Sequence, residues 1–368
     1  MVRLCLLRLF LCLCVLVLQT NCSWWQLGDR VLELDTTDDE IDNSNPNTDA
    51  DVPLTCKDVM MTRKQKSICE KGEKSMMVAI GQGIIAAQHH CHKQFKNDRW
   101  NCTAPRSQER PFGNIAHFGT PEAAYLYAIS SAGVAYSLTH ACADGSMSLT
   151  CGCVPRHKLE PWPNRSVEWG SCSYDVDKGV QLAKRFVDAA QETDNGGYTE
   201  RQMVNLHNNK AGRLAVQKSL RTICHCYGFK SCLHKVCYKE LATFSYVAGV
   251  LRSKYDTAVR IKMNARKTKL KSWDANTPIT SGDLVYNEGT WDLCQPNLQH
   301  GILGVHGREC SVNKSEENDC TRLCCQSGYE KYLADEPYGC DCRLVWWPQL
   351  HVECNKCYIR GITKYRCK

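Results

Sequence analysis

Beyond its first twenty-odd residues the chain has no long uncharged apolar run, so no later segment reads as membrane-spanning. It also lacks GxSxG, HExxH and a Walker loop. The adjacent Cys324 and Cys325 are followed by QSGYEKYLADE, without the His that a secreted phospholipase places after such a pair. No carboxylate pair nominates itself for acid–base work, and no internal repeat is apparent. These absences leave no residue to carry chemistry. They favour a ligand or inhibitor over an enzyme, with a phospholipase-type enzyme as the remaining catalytic alternative.

What the chain has in excess is cysteine, 26 in all. The opening MVRLCLLRLFLCLCVLVLQTNCS sets Arg3 and Arg8 around a run of Leu, Phe, Cys and Val that meets a small polar end at Thr20–Ser23. A basic start and a short apolar core read as a secretory signal over residues 1–22. Cys5, Cys12, Cys14 and Cys22 leave with it. The twenty-two that remain are even in number and face an oxidising compartment, which predicts eleven disulfides. Each contributes about 2–4 kcal/mol by restricting the unfolded chain. Cys151/Cys153, Cys340/Cys342 and Cys354/Cys357 could also be written as zinc ligands, but secretion and even parity favour disulfides. The protein is expected in the extracellular space and matrix.

Charge is unevenly spread. Residues 29–51 hold nine acids and one Arg, whereas residues 52–368 carry a net +13. A basic secreted body suits an anionic matrix partner such as heparan sulfate; nucleic acid is not an expected partner. Arg260, Lys262, Arg266, Lys267, Lys269 and Lys271 are the candidate cations, and a solvated basic linker is the plainer reading of the same run. DTTDDEIDNSNPNTDAD, Asp35–Asp51, has no periodicity and reads as disordered.

From Cys56 the texture changes. Met77, Ile80, Ile84, Ile85 and Ala87 recur at helical spacing between Ser75 and Phe95. Thr120 as N-cap and Pro121 in the first turn start a helix through AAYLYAISSAGVAYSLTHAC. Further helices are predicted over Tyr174–Gln191 and Thr199–Ile223. After Tyr255 the pattern ends. Leu284–Lys368 holds ten cysteines among short β runs broken by Gly, Asn and Pro. The fold class is therefore α+β: a mostly α-helical N-terminal domain with disulfide-tied hairpins, then a small cysteine-rich β-hairpin domain with little conventional core. The divisions are a signal over 1–22, an acidic disordered arm over 23–55, a helical domain over 56–259, a basic linker over 260–283 and the cysteine-rich domain over 284–368.

Asn101, Asn164 and Asn313 begin N-glycosylation sequons. His89, His90, Cys91 and His92 look like a metal cluster. Adjacent helical residues point in different directions and cannot share one ion, so structural histidines are the reading.

Several stretches together resemble the Wnt family of secreted signalling glycoproteins. They are FKNDRWNC (Phe95–Cys102), EWGSCSYDVDKGVQLAKRFVDA (Glu168–Ala189), MVNLHNNKAGR (Met203–Arg213) and the C-terminal series GRECSVNKS, CTRLCCQSGY, CDC, ECNKC and YRCK. The resemblance covers Cys56 to Lys368. It implies a helical lobe extending a "thumb" hairpin, here 224–237, and a cysteine-rich lobe extending an "index finger", here 340–357. It implies binding to the Frizzled cysteine-rich domain, signalling in development through a low-density-lipoprotein-receptor-related co-receptor, and no cofactor. It also implies nested thumb disulfides, Cys224–Cys237 outside and Cys226–Cys232 inside. In the family the thumb loop carries a fatty acyl chain on serine, and a Wntless-type carrier escorts the acylated protein.

Two departures stand out. The loop reads CYGFKSC, and the family acceptor position falls on Phe229 or Lys230, neither of which has a hydroxyl. Ser231, directly before Cys232, is the only candidate acceptor; its plainer role is a turn residue that hydrogen-bonds locally. Phe229 and Lys230 are the candidate receptor contacts of this loop, and a lipid-independent antagonist or decoy of the same pathway is the alternative reading. At the index finger the family's adjacent Cys-Cys pair is missing, and RLVWWPQLHVEC stands in its place. Trp346, Trp347 and Leu350 are the candidate receptor contacts there, unless the tryptophans fold back on the hairpin.

Overall fold

Backbone accounting explains where the helices start. In the computed structural model the described residues are 23–37, 56, 59–104, 111–160, 162, 167–170, 172–192, 197–227, 234–264, 268–346 and 350–368. The signal segment lies outside them. Two units emerge. One runs to Gln94 and from Cys102 to Thr290; the other takes Phe95–Asn101 and Trp291–Lys368.

In the first unit a 3-10 turn at Ser23–Gln26 leads into α1 (Leu27–Thr37). Trp24, Trp25, Leu27 and Val31 are buried, while Asp29 and Arg30 face water. This corrects the reading of residues 23–55 as a disordered arm. Acidic composition hid an amphipathic turn whose apolar members sit at helical spacing. The rest of that span up to Thr55 lies outside the described residues.

Next come α2 (Arg63–Lys71), closed by a Thr62–Gln65 capping box, and α3 (Lys74–Phe95). The long helix α4 (Pro121–Ala143) starts as its TPE signal requires: Thr120 Oγ1 accepts from the Ala123 N–H at 3.3 Å, with Pro121 in the first turn. Almost every residue from Glu122 to Ala135 is buried, so α4 is the hub of the helical core. A Cβ added to Gly133 would collide with the carbonyl of Gly83, so the α3–α4 crossing needs glycine on both helices.

After a short strand β1 (Val167–Trp169), α5 (Val176–Ala189) is capped by Asp175, and α6 (Glu200–Lys218) begins with a Thr199–Gln202 capping box. In the NLHNN run on α6 the three asparagines are buried, and each donates from its amide nitrogen. Asn205 donates to Gln191 Oε1 at 2.8 Å. Asn208 donates to the Val285 carbonyl and accepts from the Val285 N–H, both at 2.9 Å. An amide side chain thus does for Val285 what a neighbouring strand would do. Four residues on from that run, Arg213 grips Asp188 of α5 with two N–H groups at 2.9 Å and donates to Ser131 of α4 at 3.0 Å.

The helix predicted over Thr199–Ile223 stops at Lys218. Ser219 caps it, and the chain enters β2 (Leu220–Tyr227), which pairs antiparallel with β3 (His234–Leu241). β1 joins β3 on its other side, in parallel. Helix α7 (Phe244–Asp256) follows. The predicted basic linker is also ordered structure in part. β4 (Val259–Met263) pairs with β5 (Leu270–Ser272) and with β6 (Val285–Tyr286), and Ile261 is buried with Val204 and Val285. The run of cations masked a strand whose alternate residue points inward.

The second unit has β7 (Glu309–Cys310), the one-turn helix α8 (Cys320–Leu323), β8 (Tyr329–Val345) and β9 (His351–Cys367), with sheet order β7-β9-β8. Its core is Val305 and Leu323 among Cys310, Cys320, Cys324 and Cys367, so cystines do much of the packing. The β8–β9 hairpin is far longer than the 340–357 predicted. FKNDRWN also belongs here: Arg308 donates to the carbonyls of Lys96, Asp98 and Arg99 at 2.6–2.9 Å, and Phe95 meets Trp100 with centroids 4.8 Å apart.

Three partly buried histidines make stability fall with acid. Burial lowers the pKa of His90, His140 and His207, with His89 and Lys93 adding to the effect at His90. Below the unfolded value of about 6.5 the unfolded chain takes up protons that the folded one refuses, so stability drops as pH falls and is unaffected above neutrality. Asp283 acts at the other end. Burial works against its charged form, but hydrogen bonds from Thr280 and Lys254 hold its pKa down to about 2, so its contribution survives until strong acid. The urea midpoint of the secreted protein should fall between pH 7.5 and 5.5. A midpoint that holds steady or rises over that interval would contradict this.

Candidate functional site

The thumb hairpin grows from the β2–β3 ladder. Cys224 opposes Cys237 directly, and the two are disulfide-bonded with a Cα separation of 4.0 Å. Cys226 is disulfide-bonded as well. On the opposite face of the ladder, His225 stacks on Tyr238 with its Nε2 3.2 Å from the phenol oxygen, and His234 Nε2 lies 3.0 Å from Glu168 Oε1 on β1. Three strands and a covalent rung therefore brace the base of this loop. Phe229, Lys230, Ser231 and Cys232 lie outside the described residues.

The second hairpin is stapled by Cys340–Cys357 and Cys342–Cys354. Between Cys340 and Arg343 the ladder slips, with Asp341 in the left-handed region at φ 48°. Beyond the slip the two faces differ. Arg343 pairs with Glu353 at 2.7 Å on one side. On the other, Leu344 opposes Val352, and Trp346 and Leu350 extend that row to the tip. Trp346 is 75% exposed and Leu350 59%, so Trp346 stands away from the hairpin. Trp347 lies outside the described residues. Leu344 and Val352 were not singled out from the sequence, although the alternation in RLVWW and LHVEC was the available signal.

The candidate cations occupy the outer face of β4–β5. Arg260, Lys262 and Lys271 are exposed, Lys262 opposes Lys271, and Lys269 is exposed just before β5. Arg266 and Lys267 lie outside the described residues. Of the sequons, Asn313 is exposed, its Oδ1 accepts from the Ser315 N–H at 3.2 Å and the Ser315 hydroxyl at 2.8 Å, and its amide nitrogen donates to Glu316 Oε1 at 3.4 Å. Asn101 is partly buried, and Asn164 is outside the described residues.

The cysteines written alternatively as zinc ligands are committed to disulfides: Cys151 to Cys142, Cys153 to Cys172, and the index-finger pairs already named. Cys324 and Cys325 bond to Cys367 and Cys294. A recess of about 330 Å3 between α3 and α4 collects Ser75, Ser137, Ser146, His140 and Asp144. Its serine–carboxylate contacts are local turn contacts two residues apart, Ser146 to Asp144, and Ser75 to Glu73 at 3.3 Å. His140 Nδ1 faces the Tyr174 hydroxyl at 3.4 Å, and Asp144 is occupied by Ser146.

A model of the Wnt family matches residues 57–368. The chain belongs to the Wnt family. It is 37% identical over 311 residues to Protein Wnt-5b of Xenopus laevis, covering 83% of this chain and 84% of that one. It is 32% identical to human Protein Wnt-5a, covering 98% and 92%. Among solved structures it resembles the Wnt chain in human WLS in complex with WNT8A, with a TM-score of 0.58, 31% identity, and coverage of 81% of this chain and 96% of that one. This Wnt is a secreted signalling ligand of mixed helix and strand, cross-linked by disulfides, and the family's members are ligands rather than enzymes. None of the helices among the described residues is long and apolar enough to cross a membrane. The Wnt-like phrases of the sequence have structural work: NLHNN holds a strand and joins two helices, and FKNDRWN seats under Arg308.

Proposed function

We propose that this Wnt binds the cysteine-rich domain of a Frizzled-type receptor through its two hairpin tips, signals by bringing in a low-density-lipoprotein-receptor-related co-receptor, and catalyses no reaction. The observation that carries the receptor reading is the apolar row Leu344, Trp346, Leu350 and Val352, held open to solvent on a disulfide-stapled hairpin. Exposed aromatics on a rigid stem lose little entropy on binding and make good anchors. The thumb contributes Phe229 and Lys230, and its acyl chain when Ser231 carries one. The resemblance to a Wnt solved with human WLS supports a Wntless-type carrier for an acylated form. Matrix heparan sulfate is the partner of the basic body, and Asn101, Asn164 and Asn313 are the glycan positions.

The test is binding of purified secreted protein to a Frizzled cysteine-rich domain. Trp346→Ala with Leu350→Ala should weaken it by about 30-fold, the scale of a central anchor. Unchanged affinity would remove the index finger from the interface. Mass spectrometry of the thumb peptide reads Ser231 in the same preparation. The shortened CYGFKSC loop, without a hydroxyl at the usual place, favours one second reading, a lipid-independent antagonist. Binding to Frizzled without reporter activation would select it.

A further inference from the structure

The outer face of the β4–β5 hairpin has features that a merely basic surface does not need. Trp273 follows β5 directly, and its N–H bonds to the carbonyl of Arg260, so the two residues sit opposite each other. The indole is 58% exposed. The Arg260 guanidinium lies 4.9 Å from its ring centroid and the Lys262 ammonium 5.1 Å. Lys271 stands across from Lys262. Among the described residues no carboxylate pairs with Arg260, Lys262 or Lys271, whereas Arg213, Arg221, Lys254, Arg343 and Arg366 all have acidic partners. Beside Trp273 the surface dips into an open recess of about 260 Å3, lined also by Thr257, Ala258, Asp274 and Thr277. Asp274 accepts from the Asn276 N–H and the Thr277 hydroxyl, both at 3.0 Å, so its carboxylate is held in the turn at the rim.

We propose that this face is a binding site for a sulfated saccharide, with one sugar ring seated in the recess against Trp273 and sulfates running along Arg260, Lys262 and Lys271. It rests on the reading of heparan sulfate as matrix partner and deepens it from diffuse charge to a ring-sized site. The chemistry separates a sulfated sugar from a bare polyanion. An indole offers a flat apolar face to the C–H side of a pyranose. The rim carboxylate and hydroxyls suit sugar hydroxyls, which a phosphate chain does not present. The cation–π contacts keep the Arg260 and Lys262 charges beside the ring, so fewer rotamers are lost when sulfate binds.

The experiment titrates full-length secreted protein with a size-defined heparin oligosaccharide, the same oligosaccharide desulfated, and inorganic sulfate as competitor at matched concentration. Trp273→Ala changes no charge and no core residue. It should weaken binding about ten-fold while leaving the salt dependence intact. Lys271→Gln should instead flatten the salt dependence by about one released ion. The desulfated chain should bind far more weakly, and inorganic sulfate should not displace the oligosaccharide. Full affinity in Trp273→Ala, with loss in Lys271→Gln, would overturn the ring site and leave heparan sulfate as a purely electrostatic partner. Displacement by inorganic sulfate would overturn it too, marking a small-anion site. Failure of the unsubstituted protein to bind the sulfated oligosaccharide at physiological salt would remove both readings and leave the Frizzled reading untouched.

Discussion

Trp25→Ala is expected to destabilise the helical unit by about 3–5 kcal/mol and to cut the secreted yield sharply. Trp25 is fully buried, edge-on to Phe112 at 5.1 Å and tilted against Tyr127 at 5.4 Å, while its neighbour Trp24 packs on Phe186 at 5.6 Å. Truncation removes the largest fully buried side chain of the N-terminal turn and leaves a cavity between elements far apart in sequence. Neither indole N–H of this pair has an acceptor among the described residues. Trp25→Phe keeps the apolar packing and deletes that orphan donor, so it should cost less than about 1.5 kcal/mol. Leu32→Ala, at an exposed position of α1 just beyond that turn, should be close to neutral. Urea unfolding of the three variants checks the order. A Trp25→Ala protein within about 1 kcal/mol of the parent would mean that the N-terminal turn is dispensable to the core.

The same segment shows where sequence reading succeeds and fails here. Helices with apolar spacing and a capping signal, such as Thr120–Pro121 ahead of α4, were legible because the information is local. The cysteine framework was legible as a class, but its pairing depends on register: Cys340 opposes Asn355 and reaches diagonally to Cys357, whereas Cys342 meets Cys354 because the ladder slips between Cys340 and Arg343. Composition misled where it outvoted a few buried residues. Acids at 29–51 obscured Trp24, Trp25 and Val31, and cations at 260–271 obscured Ile261. Leu220–Ile223 looked helical because β2 begins directly after α6, with only Ser219 between them. FKNDRWN could be recognised as a phrase, yet its place beside Arg308 is a contact more than 200 residues away in sequence, which no local pattern encodes. The receptor row at the index finger was half visible: its tryptophan stood out, whereas Leu344 and Val352 needed the strand pairing.

Arg213→Ala should cost about 3–5 kcal/mol, as much as removing a large core side chain, although it deletes no apolar contact of note. The guanidinium is 5% exposed and joins three helices: Asp188 from α5, Ser131 from α4 and its own α6. Alanine leaves the Asp188 carboxylate, itself only 15% exposed, with the Asn209 amide as its remaining side-chain donor among the described residues. The loss measures an abandoned charge and not the worth of the pair. The double variant Arg213→Met with Asp188→Leu removes both charges and keeps the volume, so most of the stability should return, and it could exceed the parent. Denaturant unfolding of the single and double variants closes the cycle. If the double variant is no more stable than Arg213→Ala, the ion pair contributes stability in its own right. If stability returns but receptor binding falls, the pair acts as a register pin: its fixed fork geometry holds α4, α5 and α6 in the one arrangement from which β2 and the thumb hairpin emerge.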